Sequence, residues 1–191
     1  MTKNATSTSQ MIKHQDDIEA GLIIEAKRDI TAFDKLYDLY VQPVYRYLLS
    51  RIGNVQGAEE LTAQTFLAAL EGFPGYRHRG QFAAWLFSIA RNKLVDYFRR
   101  EQDIPRLDET VSLSTDADPL QHAIETERKG QLIALIAELP DDERELIRLR
   151  FVSELRFGEI ASLMNRKEDT VKKTLYRLLA RLKTQLEESH E

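Results

Sequence analysis

FGEIASLMNRKEDTVKKTLYRLLARL, residues 157 to 182, reads as a helix, a tight turn and a second helix with a dense positive charge. In a helix-turn-helix, the first helix needs a small residue where the second crosses it. The turn needs a residue that tolerates a left-handed backbone, and the second helix needs a buried branched residue. Ala161, Asn165 and Val171 stand in those roles at the expected spacing. Ile160, Leu163 and Met164 supply an apolar face to the first helix. Val171, Leu175, Leu178, Leu179 and Leu182 supply one to the second, in steps of three and four. Lys172, Lys173, Arg177 and Arg181 are left for phosphates and base edges. The same residues also fit an ordinary helical hairpin with a solvated basic face. Arg156 stands where Ser or Thr would cap the first helix, and Gly158 falls in its first turn. Arg166 follows the turn, where an apolar residue would usually pack.

The rest of the chain narrows the choice. Its 191 residues allow one domain or two small ones, and its 42% hydrophobic content suits a folded protein. There is no cysteine, so disulfides and thiolate metal sites are excluded, which fits a reducing cytoplasm. No apolar run approaches a membrane span, and the polar start MTKNATSTSQ lacks the apolar core of a signal peptide. A soluble cytoplasmic protein without membrane insertion is expected.

The formal net charge of −4 argues against nucleic-acid binding only if charge is spread evenly, and it is not. Residues 77 to 100 carry six bases against Asp96, and residues 166 to 183 carry seven against Glu168 and Asp169, each segment netting +5. Between them, residues 101 to 130 carry eight acids and three bases, netting −5. Two basic surfaces are separated by an acidic connector.

Residues 1–16 are polar and without periodicity and read as a disordered arm. Phe33, Tyr37, Tyr40, Val44 and Leu48 recur at helical spacing, predicting one long helix that Pro43 kinks or breaks. Asn54 is placed to cap the next helix, with Ala58, Leu61, Thr65 and Ala68 on one stripe and Phe66 and Leu70 beside it. A third helix is predicted from Gln81 to Glu101, with Trp85, Ile89 and Tyr97 in its core. Residues 103–119 are acidic, rich in turn formers and bounded by prolines, and read as a flexible linker. Beyond it, Pro140 opens a helix with Asp141, Asp142 and Glu143 beside its positive N-terminal dipole. Leu146, Ile147, Leu149 and Phe151 give it a buried side. The fold expected is all-α, with two small helical domains (17–102 and 120–191) joined by that linker, the second ending in the helix-turn-helix.

The central segment PGYRHRGQFAAWLFSIARNKLVDYFRRE places an aromatic residue and two arginines in a glycine-containing loop, followed by an aromatic-rich basic helix. Aromatic faces stack on exposed bases while Arg and Lys hold the backbone, the chemistry of single-stranded nucleic-acid binding. Phe82, Trp85 and Phe87 fit a core role better than that one. Tyr76, in the loop, fits one less well.

Taken in order, these segments resemble the extracytoplasmic-function sigma factors, the small two-domain initiation factors of bacterial RNA polymerase. AEELTAQTF, from Ala58 to Phe66, is similar to the family's core-polymerase-binding segment. YRHRGQFAAWLFSIARNKLVDYFRR resembles the segment that recognises and melts the minus-ten element, and residues 139 to 182 resemble the domain that reads the minus-thirty-five element. The resemblance implies that Glu59, Glu60, Leu61, Gln64 and Phe66 bind core polymerase. It implies minus-ten contacts from Tyr76, Arg77, His78, Arg79, Gln81, Arg91, Asn92, Arg99 and Arg100. The Tyr76–Gln81 loop would cup a flipped base, and Arg91 to Arg100 would hold the downstream duplex edge. Minus-thirty-five contacts fall to Lys167, Glu168, Asp169, Thr170, Lys172, Lys173 and Arg177, with a carboxylate accepting from a cytosine amine. The implied partners are core RNA polymerase, through its clamp helices and flap, promoter DNA both duplex and single-stranded, and an anti-sigma factor. Gly57, Ala63 and Gln64 depart from the acids or amides usual in the docking segment. Lys173 and Thr174 replace a more usual serine and arginine, so promoter preference does not transfer.

A conventional regulator binding duplex operators through its last domain is the nearest alternative, and an adaptor without DNA function is a third. An enzyme fits least: the four histidines are scattered, no glycine-rich phosphate loop is present, and no catalytic residue, cofactor or metal is expected.

Overall fold

The computed structural model describes residues 17–77, 81–101 and 129–188, which are helical throughout apart from turns. They fall into two compact units, one before and one after residues 102–128. The expected arm (1–16) and linker (103–119) lie outside the described residues.

The first unit holds four helices: α1 (17–28), α2 (Phe33–Ile52), α3 (Val55–Gly72) and α4 (Phe82–Glu101). Asp29 caps the short 3-10 turn Ile30–Ala32 by accepting from the Thr31 backbone N–H at 3.0 Å. α2 is the one long helix expected and runs through Pro43 without a break: Val44, Tyr47 and Leu48 just beyond it are fully buried and hold the helix in register. Gly53 ends α2 at φ 69°, a left-handed conformation that glycine adopts without steric cost. Asn54 then caps α3 as expected, accepting from the Gly57 N–H at 2.8 Å.

The core between these helices is aromatic. Phe33 lies edge-on to Phe73 with centroids 5.2 Å apart, Tyr40 meets Phe82 at 5.4 Å, and Tyr47 meets Phe87 at 5.4 Å. Each side chain so buried contributes about 1.5–3 kcal/mol. Thr62 and Thr65 are buried in α3, but their hydroxyls donate to the Ala58 and Leu61 carbonyls at 2.6 and 2.7 Å, so neither hydroxyl is stranded. In α4 the core residues are Phe82, Leu86, Phe87, Ala90 and Leu94, whereas Trp85, Ile89 and Tyr97 are only half-buried. Of the residues expected inside, Phe82 and Phe87 are buried, while Trp85, Ile89 and Tyr97 lie at the edge of the core.

The second unit holds α5 (129–137), α6 (Asp141–Ile147), α7 (Phe157–Leu163) and α8 (Glu168–Glu188). Leu146, Ile147 and Leu149 are buried as expected, but Phe151 is 53% exposed. The cause is a π-helical turn, Arg148–Val152, after α6. Its wider winding rotates Phe151 off the stripe an α-helix would have continued.

Candidate nucleic-acid and polymerase surfaces

α7, a turn and α8 follow one another over the stretch read as a helix-turn-helix. Ala161 and Val171 are buried, and Asn165 has φ 53°. The Asn165 N–H donates to Ser162 at 3.2 Å and the Arg166 N–H to Ala161 at 2.8 Å. That pair of bonds ends α7 with a left-handed residue just past its C-cap. Arg156 cannot cap α7 with its side chain. Glu159 supplies the other half of the arrangement, accepting from the Arg156 N–H at 2.7 Å. Arg166, in place of an apolar residue, ion-pairs with Asp142 of α6.

This frame decides what α8 presents. Val171, Leu175, Leu178 and Leu182 are buried, while Leu179 is exposed and leaves the expected stripe. At about 100° per residue, the face opposite the buried four carries Asp169, Thr170, Lys173 and Arg177, all exposed. Lys172 and Glu168 lie on the flank, paired at 2.6 Å, with the ammonium 5.6 Å from the Phe157 ring centroid. The hydrogen bond to Glu168 raises the Lys172 pKa above the ordinary lysine value despite desolvation, so the ammonium stays charged. Lys167 precedes the helix and is exposed. Arg181 is not left for DNA: it ion-pairs with Glu143 of α6. Asp142 and Glu143 thus brace α8 beside the turn and in its second half.

In the first unit, α4 turns Asn92, Val95 and Arg99 outward, opposite Leu86 and Ala90, with Trp85 about two turns before Asn92 toward the same side. Arg99 pairs with Asp96 at 2.9 Å. Arg100 lies apart from Arg99, lining a small polar cleft with Lys93, Asp96, Tyr97 and, from α3, Glu60 and Gln64. Arg91 is half-buried. Tyr76 is not a free loop ring, contrary to the sequence expectation. It stacks on Phe73 at 6.1 Å and packs on Phe82 at 5.6 Å and Trp85 at 4.7 Å, leaving it half-buried. Arg77 and Gln81 are exposed; His78 and Arg79 lie outside the described residues.

On α3, Glu59 and Glu60 are exposed, and Gln64 donates to Glu60 at 2.9 Å. Leu61 and Phe66, expected at a partner surface, are core residues, 4% and 5% exposed. Phe66 packs edge-on against Tyr37 at 4.7 Å. Among the exposed apolar residues of this helix are Leu67, at 59%, and Leu70; periodicity sets Leu70 only beside the stripe and leaves Leu67 unassigned, because α3 is apolar on more than one side. Gly57 stands where a side chain would crowd Ile52 and Tyr97, since an added Cβ would lie 3.1 Å from Ile52 Cδ1 and 3.3 Å from the Tyr97 hydroxyl.

The described residues hold no cluster of His, Cys, Asp and Glu suited to a metal, and no helix among them is long and apolar enough to cross a membrane. In the second unit an apolar hollow of about 540 Å³ opens among Leu132, Leu179, Leu182, Leu186, Lys129 and Lys183.

Residues 36–104 match the Sigma-70 region 2 family and residues 129–182 the Sigma-70 region 4 family. The chain is 34% identical to the ECF RNA polymerase sigma factor SigM of Bacillus subtilis, over 78% of this chain and 92% of that protein. It is 34% identical to the ECF RNA polymerase sigma factor BldN of Streptomyces coelicolor, over 79% of this chain but 59% of BldN. Among solved structures, the sigma factor RpoE in complex with the anti-sigma factor NepR from Bartonella quintana has a similar fold. Its TM-score is 0.58 at 23% identity, over 81% of this chain and 96% of that one.

Proposed function

The chain belongs to the extracytoplasmic-function sigma factors of RNA polymerase, and on that premise we propose that it recruits core polymerase to promoters and opens them. Residues 17–102 act as the unit that docks on the clamp helices and takes the minus-ten element. Residues 120–191 act as the unit that reads the minus-thirty-five element, and residues 103–119 connect them.

The observation that carries this reading is the outward face of α8. Asp169, Thr170, Lys173 and Arg177 stand together on it, opposite a fully buried stripe and directly after the left-handed turn at Asn165. That is the placement by which a second helix enters the major groove with its N-terminal residues at the base edges. Asp169 is the carboxylate left for a cytosine amine, since Glu168 is held by Lys172. On α3 the docking contacts are Glu59, Glu60 and Gln64 with the exposed Leu67 and Leu70; Leu61 and Phe66 support them from the core. The hollow lined by Leu132, Leu179 and Leu186 seats the polymerase flap. An anti-sigma factor, like the NepR bound to RpoE, would compete for the same apolar surfaces.

Promoter opening follows from the α4 face. Asn92 and Arg99 line the path of the unpaired strand, with the Tyr76–Trp85 pair at its upper end. Transcription from a library of random promoters, using purified core polymerase with and without the chain, tests the whole reading. The chain should be required and should enrich a two-part promoter. Protection of duplex DNA by the chain alone, with no effect of core, would instead establish a conventional regulator.

A further inference from the structure

α1 meets the end of α3 at Lys27. Its Nζ donates to the Phe73 carbonyl at 2.6 Å and to the Pro74 carbonyl at 3.0 Å. The same ammonium lies 4.9 Å from the Phe73 ring centroid and 5.9 Å from that of Tyr76. The Phe73 carbonyl also accepts from the Tyr76 backbone N–H at 3.0 Å, so Lys27 and Tyr76 share an acceptor. Carbonyls at a helix end lack intrahelical donors and carry partial negative charge, and Lys27 supplies that turn with a cation from a different helix.

The turn so fixed, Phe73–Gly75, carries Tyr76 into its place against Trp85, 4.7 Å away, beside the outward face of α4. We propose that Lys27 is a positioning residue for capture of the unpaired minus-ten strand. It holds the turn closed and keeps the Tyr76 ring seated beside Trp85, where the strand's bases arrive. This rests on the reading of the α4 face as the strand's path. Lys27 touches no base itself: two of its donors are spent on the turn's carbonyls, and the aromatic pair is what it places.

The chain has one tryptophan, Trp85, so the seat reports on itself without DNA. In Lys27→Met, which keeps the stem and loses the donors, acrylamide should quench Trp85 fluorescence of the free chain more strongly than in the wild type. Holoenzyme made with Lys27→Met should bind the single-stranded non-template minus-ten oligonucleotide of a library-selected promoter about tenfold more weakly, as loss of a charge-assisted hydrogen bond implies. Affinity for core polymerase, read in the same experiment well below the melting temperature, should be unchanged. Lys27→Arg, whose guanidinium also reaches two carbonyls, should restore both quenching and oligonucleotide binding.

Unchanged quenching in Lys27→Met would overturn the seating role. Altered quenching with wild-type oligonucleotide affinity would overturn the link from seat to strand. Equal losses of core and oligonucleotide binding, not restored by Arg, would mark Lys27 as a general stabiliser and refute the proposal. If wild-type holoenzyme does not retain the oligonucleotide, the strand-path reading itself fails and takes this inference with it, an outcome distinct from the other three.

Discussion

Replacing Lys173 or Arg177 by alanine should weaken duplex binding and flatten its salt dependence, whereas Arg181→Ala should leave the salt dependence alone and cost stability instead. The three cations lie on one helix and look equivalent in sequence, but Arg181 is tied to Glu143 while Lys173 and Arg177 make no ion pair among the described residues. Each phosphate contact released removes about 0.9 from the slope of log K against log salt. Over a fourfold rise in salt, one contact is worth about 3.5-fold in affinity and two about twelvefold. The double variant should therefore have a slope lower by about 1.8 than the wild type and by about 0.9 than either single variant. Breaking the Arg181–Glu143 pair, whose side chains are 48% and 23% exposed, costs only about 0.5–1 kcal/mol. Anisotropy of a labelled promoter duplex with holoenzyme across a salt series, with thermal melts of the free variants, separates the two effects. An unchanged slope in Lys173→Ala and Arg177→Ala, or equal flattening in Arg181→Ala, would refute the division of roles.

Reversing Glu59 and Glu60 to Lys should abolish co-purification with core polymerase while helicity by circular dichroism is kept, because both side chains are exposed; full binding by the folded variant would remove α3 from the interface. Leu175→Ala, at a buried position in α8, should destabilise the second unit by about 2–5 kcal/mol, enough to unfold a small domain, and a melt should show loss of that unit's helix signal. The Asp29 carboxyl is held below the usual carboxylate range by hydrogen bonds from the Thr31 hydroxyl and then from its backbone N–H. Because the folded value is depressed, its contribution is complete above the ordinary carboxylate range and is lost as pH falls through that lower value. Asp29→Asn should melt without this acid-side dependence, and Asp29→Ala should match the acid state at neutral pH.

Where the chemistry of a single residue type decides local structure, the sequence was readable. Asn165 is one of few residues that enter the left-handed region at low cost, and Asn54 is a cap by the nature of its side chain, so both roles hold in the fold. Where tertiary packing decides, reading along the chain failed. Pro43 removes one donor from α2, but the buried residues after it carry the helix through. Phe151 was assigned to the core by α-helical periodicity, and the π-helical turn that exposes it has no signature in apolar spacing. On α3 the stripe of Ala58, Leu61 and Thr65 is buried as periodicity predicts, but apolar residues occupy more than half the circumference, so spacing alone does not say that Phe66 points inward and Leu67 and Leu70 outward. Tyr76 was placed in a loop by the glycines around it, yet Phe73 and Trp85, brought together by the fold, draw it into their cluster.

Charge shows the same limit and leads to a mechanistic consequence. Seven bases lie between residues 166 and 183, but Arg166, Lys172, Arg181 and Lys183 are all ion-paired. Asp142 and Glu143 of α6, which help make the chain acidic overall, are the partners that brace α8, so they contribute to its orientation rather than repel DNA from its face. What remains unpaired is Lys167, Lys173 and Arg177. Three cations hold a duplex only weakly at physiological salt, because each contributes one screened phosphate contact. A second DNA-binding surface on the same chain changes this, since the first contact raises the effective concentration of the second by linkage alone. On the proposed reading, the small basic face of α8 therefore calls for the side of α4 assigned to the strand. On that account, a promoter with only one matching element should be bound little better than random DNA, while one with both should be bound far more tightly than the sum of the two parts.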